Sequence, residues 1–310
     1  MNTKHLVLSG GAYLGFAEIG ALEVLELDTT RIETYDATSI GAIFSVLLSL
    51  NCPIKDIKEY FVERPWEQVI MDMYPSFSMK LMTESIEQGG FFDQEFIRVV
   101  MTPFLTIHFP QYAKDLNQLT LKELHEYTQK DIYMYTVRLP HDVMDIELLS
   151  ISHYTHPDLP LIVALQMTTA VPVLFKPVIY KNDYYVDGGL LSNYPLEQCL
   201  ERGTPETDIL SIYLKTISSQ EKYGKYMLFE FQYSLLYRTI YHIRKLYEKK
   251  MIQNELIILC EHISLQEGYN QVKSREARES IIELGKKHAM LFKEYHARHA
   301  RHASQSADCV

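Results

Sequence analysis

A chain of 310 residues, 47% of them hydrophobic, is long enough to bury a substantial core in one large α/β domain or two smaller ones without covalent staples. Its net charge of −10 argues against general nucleic-acid binding. The cysteines lie far apart and form no C-x-x-C pair, which suggests neither a disulfide framework nor a zinc site and favours a reducing compartment. They are Cys52, Cys199, Cys260 and Cys309.

The amino terminus offers no room for a signal peptide, because Met1 is followed within a few residues by the strand-like Leu6-Val7-Leu8. The longest apolar stretch, Ile40 to Leu50, has roughly half of the ~20 residues that span a bilayer. We therefore expect a cytoplasmic protein whose contact with membranes or lipid micelles is peripheral.

The charge is unevenly distributed along the chain. From Lys225 onward there are 14 Lys and Arg residues against 10 Asp and Glu residues, so the acidic balance belongs to residues 1–224. A mildly basic end fits a surface that faces anionic lipid, but it also fits an ordinary solvated helical surface, which is the commoner case.

Alternation of strands and helices is predicted from the first fifty residues. A strand over His5 to Leu8 is followed by a glycine turn, a helix over Gly15 to Leu27, a strand over Glu33 to Thr38 and a helix from Ile40. Such alternation predicts a parallel sheet covered by helices.

Later strands are predicted wherever β-branched, aliphatic or tyrosine residues cluster. The segments are Ile132 to Leu139, Ile146 to Ile151, Val178 to Val186, Ile209 to Leu214 and Leu256 to Cys260. Between them, Thr120 and Glu123 have the spacing of a capping box, which predicts a helix before Asp131.

Two further regions interrupt or extend this pattern. Residues 65–92 form a Met- and aromatic-rich segment, which we interpret as a helical insertion over the sheet that either accommodates acyl chains or fills an ordinary core. We expect residues 1–215 to form the catalytic domain, residues 216–295 to form an extension of helices and a strand packed on it, and residues 296–310 to be a fraying or flexible tail.

A candidate nucleophile follows the second strand. The pentapeptide Ala37-Thr38-Ser39-Ile40-Gly41 nearly matches the G-x-S-x-G elbow, in which a strained serine requires small neighbours two positions away on either side. Ala37 and Gly41 meet that requirement. Taken alone, the pattern also fits a serine that merely caps a helix.

A glycine loop follows the first strand, in the sequence Ser9-Gly10-Gly11-Ala12-Tyr13-Leu14-Gly15. Unpaired amides at the start of the next helix favour an anion there, such as the oxyanion of ester hydrolysis. A dinucleotide site is disfavoured, because the G-x-G-x-x-G spacing is absent and no acidic residue ends the second strand.

A candidate base follows another strand. Asp187-Gly188-Gly189 comes after Tyr184-Tyr185-Val186 and before the loop-forming residues 190–195, so its carboxylate is held rigidly. A plain Asp-Gly turn is the alternative interpretation.

Taken together and in this order, the glycine loop, the serine elbow and the Asp-Gly-Gly segment resemble the patatin-like phospholipase family. The resemblance extends to the segment Thr168 to Pro177 and to Asn193-Tyr194-Pro195, and it covers about Leu6 to about Leu214. It implies a three-layer α/β/α fold with a mainly parallel central sheet, and a lipid acyl hydrolase of the phospholipase A type or a related carboxylic ester hydrolase.

The resemblance also implies roles for particular residues. Ser39 would be the nucleophile of a Ser-Asp dyad that forms an acyl-enzyme, and Asp187 would be its base, with no metal or other cofactor. Gly10, Gly11 and Ala12 would supply the oxyanion-hole amides. The elbow and the loops would be supported by the small residues Ala37, Gly41, Gly15, Gly188 and Gly189.

The chain departs from the family pattern at three positions. Ala12 replaces the third glycine of the loop, Leu14 stands where arginine or lysine is usual, and Ala37 replaces the first glycine of the elbow. Since a β-carbon at positive φ strains the backbone, Ala12 is acceptable without strain only if its φ is negative. Leu14 removes a positive charge beside the site.

Two alternatives stay open. An α/β-hydrolase with a Ser-Asp-His triad would take His242, His262 or His288 as its base. A catalytically weak patatin-like module would bind lipid or a protein partner, using either a membrane-facing amphipathic helix or one packed on the sheet with snorkelling basic residues. The apolar residues of that helix are Tyr233, Leu236, Tyr237, Ile240, Tyr241 and Leu246, and its basic residues are Arg238, Arg244, Lys245, Lys249 and Lys250.

Overall fold

The protein is described by a computed structural model that covers residues 3–74, 87–217, 228–246, 250–261 and 265–307. Its strands form one mixed sheet of eight, in the order β5-β6-β3-β2-β1-β7-β8, with β4 paired to β3 off this path. Neighbours from β3 to β8 along this order run parallel, whereas β4 and β6 run antiparallel to β3 and β5 runs antiparallel to β6. The strands are β1 His5–Leu8, β2 Thr34–Thr38, β3 Asp131–Leu139, β4 Glu147–Ile151, β5 Val178–Tyr180, β6 Asp183–Asp187, β7 Ile209–Ile217 and β8 Glu255–Glu261.

Helices pack around this sheet, so the expected α/β/α arrangement is confirmed. They are α1 Phe16–Leu25, α2 Ile40–Ser49, α3 Ile54–Glu63, α4 Trp66–Met73, α5 Gln94–His108, α6 Leu121–Thr128, α7 Leu161–Thr169, α8 Leu196–Glu201, α9 Leu228–Leu246, α10 Leu265–Lys273 and α11 Arg275–Ala307. The central strands β1 and β2 are almost wholly buried, which is expected of parallel strands covered on both faces.

The predicted strand over Val178 to Val186 is wrong as a single element. The chain forms a hairpin there, in which Tyr180 of β5 pairs with Asp183 of β6. The two residues between them, Lys181 and Asn182, have φ values of 50° and 69°. Two consecutive residues at positive φ make the tight turn that matches the twist of antiparallel strands.

The capping box predicted before α6 is confirmed. The Thr120 hydroxyl accepts a hydrogen bond from the Glu123 amide at 3.2 Å, and the Glu123 carboxylate accepts one from the Thr120 amide at 2.8 Å. The amides of Thr120 and Glu123 at this helix start are thereby satisfied.

The Met- and aromatic-rich segment is described only in part. Its first residues form α4, where Trp66 is buried, and near its end Phe92 forms an isolated bridge with Phe175. Phe77, Met79 and Met82 lie outside the described residues.

The long carboxy-terminal helix α11 packs directly on α1. A β-carbon at Gly20 of α1 would lie 2.0 Å from the Ile282 carbonyl oxygen, and one at Gly285 of α11 would lie 1.8 Å from the Ala17 carbonyl oxygen. These contacts are too short for any side chain, so the two backbones touch at two glycines. The extension therefore buttresses the helix that follows the glycine loop.

Candidate active site

Ser39 sits at an abrupt junction between β2 and α2. Its φ of 56° and ψ of −126° are strained for a residue with a β-carbon. Gly41 permits this junction, because a β-carbon there would lie 2.8 Å from the Ser9 carbonyl oxygen and 2.9 Å from the Leu8 β-carbon. The predicted strained elbow with small neighbours is thus present, and Ser39 is 5% exposed.

Asp187 ends β6, and the sheet register brings it to the elbow. Thr38 pairs with Tyr135 of β3, and Asp187 pairs with Thr136, the next residue along the same strand. The end of β2 and the end of β6 therefore meet at adjacent positions of β3. Ser39 and Asp187 line one cavity, although Asp187 is 4% exposed.

A chain of hydrogen bonds fixes the elbow to its surroundings. The Ser39 amide donates to the Thr168 hydroxyl at 3.0 Å, and that hydroxyl donates to the Tyr135 carbonyl at 2.6 Å. The Thr38 hydroxyl donates to the Ser192 carbonyl at 2.8 Å. The serine is thus positioned by α7 and by the loop after Asp187, both distant in sequence.

The turn after β6 orients the Asp187 side chain. One carboxylate oxygen accepts a hydrogen bond from the Gly189 amide at 2.6 Å, and the Asp187 amide donates to the Ala170 carbonyl at 2.9 Å. Gly188 is needed because a β-carbon there would lie 2.3 Å from the Tyr135 carbonyl oxygen. The bond from Gly189 therefore orients the Asp187 side chain, and the bond to Ala170 fixes the Asp187 backbone.

The glycine loop lies directly over Ser39. A β-carbon added to Gly10 would meet the Ser39 β-carbon at 3.2 Å and the Asn193 side-chain oxygen at 2.6 Å. Two hydrogen bonds clamp the loop: the Gly10 amide donates to the Asn193 carbonyl at 2.7 Å, and the Asn193 amide group donates to the Gly10 carbonyl at 2.8 Å. The amide of Gly10 is therefore engaged by Asn193, which corrects its assignment as an oxyanion donor.

The amides of Gly11 and Ala12 remain as donors from the loop. They open a short 3-10 helix over Ala12–Gly15, whose first N–H groups have no partner within that helix. Further along, Gly15 packs on the elbow, since a β-carbon there would lie 2.5 Å from Ile40. Ala37 is fully buried in β2.

The condition of a negative φ at Ala12 is not met. Ala12 has φ of 48°, in the left-handed region where glycine is favoured. The loop keeps the backbone path of a glycine although the residue is alanine. This conformation costs an alanine roughly 1–2 kcal/mol, which the surrounding clamp has to offset.

Comparison with known families matches residues 6–200 to patatin-like phospholipases. The chain belongs to this family. It is 27% identical over 195 residues to the probable lipid hydrolase 463L of Invertebrate iridescent virus 6, and 26% identical over 196 residues to the uncharacterized protein R571 of Acanthamoeba polyphaga mimivirus. The matches cover 63% and 62% of this chain, but only 62% and 60% of the relatives' own lengths.

Among solved structures, VipD from Legionella pneumophila has a similar fold, with a TM-score of 0.53 at 16% identity. The similarity covers 96% of this chain and 67% of VipD. At this identity the likeness concerns the fold alone.

In this patatin-like chain, the cavity at Ser39 has a volume of about 120 Å³, and its wall includes Ser39, Asp187 and uncharged residues. Among the uncharged residues, those with polar side chains are Tyr13, Asn193, Thr216, Tyr233 and Tyr237. Burial raises the pKa of Tyr13 and of Tyr233 far above the ordinary tyrosine value. These phenols are therefore neutral hydrogen-bonding groups at any physiological pH.

A second cavity of about 240 Å³ adjoins the first, and we call it the apolar groove. Both cavities include Ala12, Tyr13, Ser39 and Tyr233 in their walls. Aromatic and aliphatic residues line the remainder of the groove. They include Phe16, Ile43, Phe61, Trp66, Ile70, Phe92, Phe96, Val100, Leu174 and Val272.

Several residues of the site were not singled out from the sequence. Thr168 and Asn193 lie inside segments that resemble the family, but their contacts with Ser39 and Gly10 join residues 129 and 183 positions apart. Tyr233 and Tyr237 were assigned to an amphipathic helix that either faces a membrane or packs on the sheet, and in α9 both line the Ser39 cavity. Glu18, buried beneath the loop, was missed because a carboxylate in an amphipathic pattern is normally solvated.

The histidines considered for a triad lie away from the Ser39 cavity, as far as the structure describes them. His288 contacts the Leu259 amide and the Leu284 carbonyl, and His242 is exposed on α9. His262 lies outside the described residues. Over the part of the chain that is described, no histidine lines the Ser39 cavity or the apolar groove.

One cluster has the donor atoms of a metal site, at the first residue of β3. His125, Asp131 and His153 each offer a donor atom within 4.8 Å of the others. The two imidazoles are stacked with centroids 3.6 Å apart and planes 7° apart. Their in-plane lone pairs are therefore parallel, whereas two ligands of one ion must converge on it.

Within the described residues, none of the helices is both long enough and apolar enough to cross a lipid bilayer.

Proposed function

We propose that the chain hydrolyses carboxylic ester bonds of lipids, with Ser39 as nucleophile and Asp187 as base. The observation that carries the proposal is the meeting of the strained elbow at Ser39 with the end of β6 at Asp187 in one cavity beneath a glycine loop. Family membership gives the same reaction class. Each component alone has an ordinary structural explanation, but their convergence does not.

In the proposed acylation, the Ser39 oxygen attacks the ester carbonyl carbon while its proton passes to the Asp187 carboxylate. The tetrahedral intermediate then collapses, the ester C–O bond breaks, and the alcohol leaves with the proton returned by Asp187. Water attacks the acyl-enzyme in the second half, with Asp187 again accepting a proton. The second tetrahedral intermediate collapses, the bond between the acyl carbon and the Ser39 oxygen breaks, and Asp187 returns its proton to that oxygen. A free fatty acid leaves and Ser39 is regenerated.

The oxyanion of both intermediates would be bound by the amides of Gly11 and Ala12. Loss of one such donor typically costs about 2.7–4 kcal/mol of transition-state stabilisation. The position of the glycine loop therefore controls the rate without controlling the fold.

The apolar groove is the proposed acyl-chain site. It begins at Ser39 and continues between aromatic and aliphatic side chains, so an ester carbonyl at the dyad leads its hydrocarbon chain into apolar surroundings. Leu14 lines the Ser39 cavity where the family usually has a cation. The headgroup side of the site is thus less basic than is usual for the family, and a mixed lipid extract is the appropriate first substrate.

Ser39→Ala tests the central assignment. Hydrolysis of a lipid extract is measured as the release of fatty acids and lysolipids, and we expect it to fall to background in this variant. We expect the unfolding free energy to stay within about 1 kcal/mol of wild type. A fluorophosphonate should label Ser39 in the wild type and fail to label the variant. Ser49→Ala is the matched control, because Ser49 is a buried serine of the same helix outside both cavities. Retained hydrolysis by Ser39→Ala would contradict the proposal, and lipid binding without turnover by the wild type would favour the silent-module alternative.

We further propose that α9 brings the site to the lipid surface by peripheral contact. Tyr233, Leu236 and Tyr237 on one side of this helix line the Ser39 cavity. On the other side Phe231 and Leu235 are 53% and 55% exposed. A helix with apolar residues on both sides suits an interface between protein and lipid, and the net positive charge of residues 225–310 suits anionic headgroups.

Flotation with anionic phospholipid vesicles tests this contact without turnover if the Ser39→Ala protein is used. Adding Leu235→Glu should reduce the bound fraction several-fold, because a carboxylate replaces an exposed apolar side chain on the contact face. Met144→Glu is the control, since Met144 is 98% exposed but lies between β3 and β4. Equal binding of both variants would rule out α9 as the contact.

A further inference from the structure

A fully buried carboxyl group lies beneath the glycine loop. Glu18, in the first turn of α1, is 0% exposed. One of its carboxyl oxygens accepts a hydrogen bond from the Ser9 amide at 3.1 Å and another from the Ser9 hydroxyl at 3.3 Å. Within the described residues, its recorded hydrogen bonds go to Ser9 alone.

Ser9 directly follows β1 and is the first residue of the glycine loop. Its hydroxyl accepts a hydrogen bond from the Leu214 amide of β7 at 2.9 Å, while its amide also approaches the Ile212 carbonyl at 3.3 Å. The next residue, Gly10, is the one clamped by Asn193. Glu18 thus holds one end of the loop from below, and Asn193 holds it from the side.

Burial without a cation is costly for a carboxylate, and it raises the pKa of Glu18 well above its ordinary value of 4.5. The bonds from Ser9 oppose this shift only in part. An apolar side chain of similar volume would be easier to bury at this position. The carboxyl is therefore not explained by the stability of α1, but by what it holds.

We propose that Glu18 is a positioning residue for ester hydrolysis, fixing Ser9 and thereby the direction of the Gly11 and Ala12 amides. This inference rests on the proposed function, because the loop matters to the rate only if its amides receive an oxyanion. A neutral carboxyl performs the task as well as a charged one, since its carbonyl oxygen accepts both bonds from Ser9. Glutamine retains that acceptor, whereas leucine retains only the volume.

The test compares Glu18→Gln and Glu18→Leu on a soluble short-chain ester, with kcat and KM measured separately. We expect Glu18→Gln to remain within about 3-fold of the wild-type kcat. Glu18→Leu should lose about 10²-fold in kcat, comparable to the loss of one oxyanion donor, with KM within about 3-fold. Its unfolding free energy should not fall in parallel, which separates positioning from a structural role.

Glu23→Leu is the matched control on the same helix, because Glu23 pairs with Lys58 and does not contact the loop. It should keep the wild-type kcat. If Glu18→Leu does not fold, Ser9→Ala provides the second measurement, since it removes the hydroxyl that joins Glu18 to β7. We expect its kcat to fall about 10-fold at constant KM.

Wild-type kcat in Glu18→Leu or in Ser9→Ala would overturn the inference. So would a Glu18→Gln variant as slow as Glu18→Leu, because the hydrogen-bond acceptor would then be irrelevant. A wild-type protein without hydrolysis would instead refute the proposed function itself, and the positioning role with it.

Discussion

The glycine loop before α1 and the elbow before α2 lie side by side and have features in common, but different contacts hold each in its conformation. Each follows a parallel strand, and each holds a residue with a β-carbon at positive φ, Ala12 at 48° and Ser39 at 56°. At Ser39 the strand passes into the helix without a loop, and Gly41 packs on the backbone of β1. At Ala12 seven residues, 9–15, connect strand and helix.

The difference lies in what each turn packs against. Gly41 brings the elbow against backbone atoms of Leu8 and Ser9, in addition to the hydrogen bonds with Thr168 and Ser192. The glycine loop is held by the side chains of Glu18 and Asn193. We infer that the packing of the elbow contributes to the stability of the core, whereas the glycine loop can shift position without unfolding the core. Damage to the first should therefore affect stability, and damage to the second should affect rate.

The largest effect is expected from removing the proposed base, Asp187, on which the function of both turns depends. Asp187→Asn keeps the size of the side chain, and its carbonyl oxygen can still accept from the Gly189 amide, but it removes the proposed base. We expect kcat to fall by about 10²–10⁴ with little change in stability. Steady-state kinetics and denaturant unfolding of the same preparation provide the check. An active Asp187→Asn enzyme would mean that another group takes the Ser39 proton, and separate glutamine substitutions at His242, His262 and His288 would then identify it.

The next test adds one methyl group to each turn. In Gly41→Ala the new β-carbon meets backbone atoms of β1, which cannot move independently, so we expect a loss of about 1–3 kcal/mol in unfolding free energy. In Gly10→Ala it meets the Asn193 side-chain oxygen and Ser39 instead. We expect little loss of stability there but about 10²-fold lower kcat, because the loop and the nucleophile are displaced relative to each other.

Denaturant titration and ester kinetics on both glycine variants decide the matter. If Gly10→Ala is the less stable of the two, or if Gly41→Ala is the slower at equal folded fraction, the distinction between a structural elbow and an adjustable loop is wrong.

Features that depend on neighbouring residues could be predicted from the sequence, whereas features that depend on distant segments could not. The elbow, the capping box at Thr120 and most strand positions follow from local patterns, because steric fit and helix capping act over a few residues. The positive φ of Ala12 could not be predicted from the sequence, since alanine itself disfavours that value. The partner of the Gly10 amide and the role of Thr168 depend on contacts between distant segments, which no local pattern specifies.

A smaller effect concerns the ionisation of Glu18 beneath the loop. Because the pKa of Glu18 is raised in the folded state, the folded protein retains a proton that the unfolded chain loses above pH 4.5. The unfolded state then binds fewer protons, so wild-type stability falls relative to Glu18→Gln as the pH rises from 4.5 towards the folded pKa. Below pH 4.5 both states are protonated and the difference is constant.

The measurement is the unfolding free energy of both proteins at a series of pH values from 4 upward, since all other titrations cancel in the difference. A difference that stays flat above pH 4.5 would contradict a raised pKa of Glu18 in the folded protein.

The smallest effect is expected from restoring a glycine at the loop. Ala12→Gly relieves the left-handed strain of alanine, and the greater freedom of glycine in the unfolded chain offsets part of the gain. We expect a net increase of about 0.5–1 kcal/mol in unfolding free energy, with kcat within a few-fold of wild type because the amide keeps its direction. Ala42→Gly is the matched control: Ala42 lies in the right-handed helix α2, so the same substitution should destabilise it by about 1 kcal/mol. If both substitutions destabilise equally, Ala12 carries no strain in solution, and the loop adopts a different backbone path from the one described.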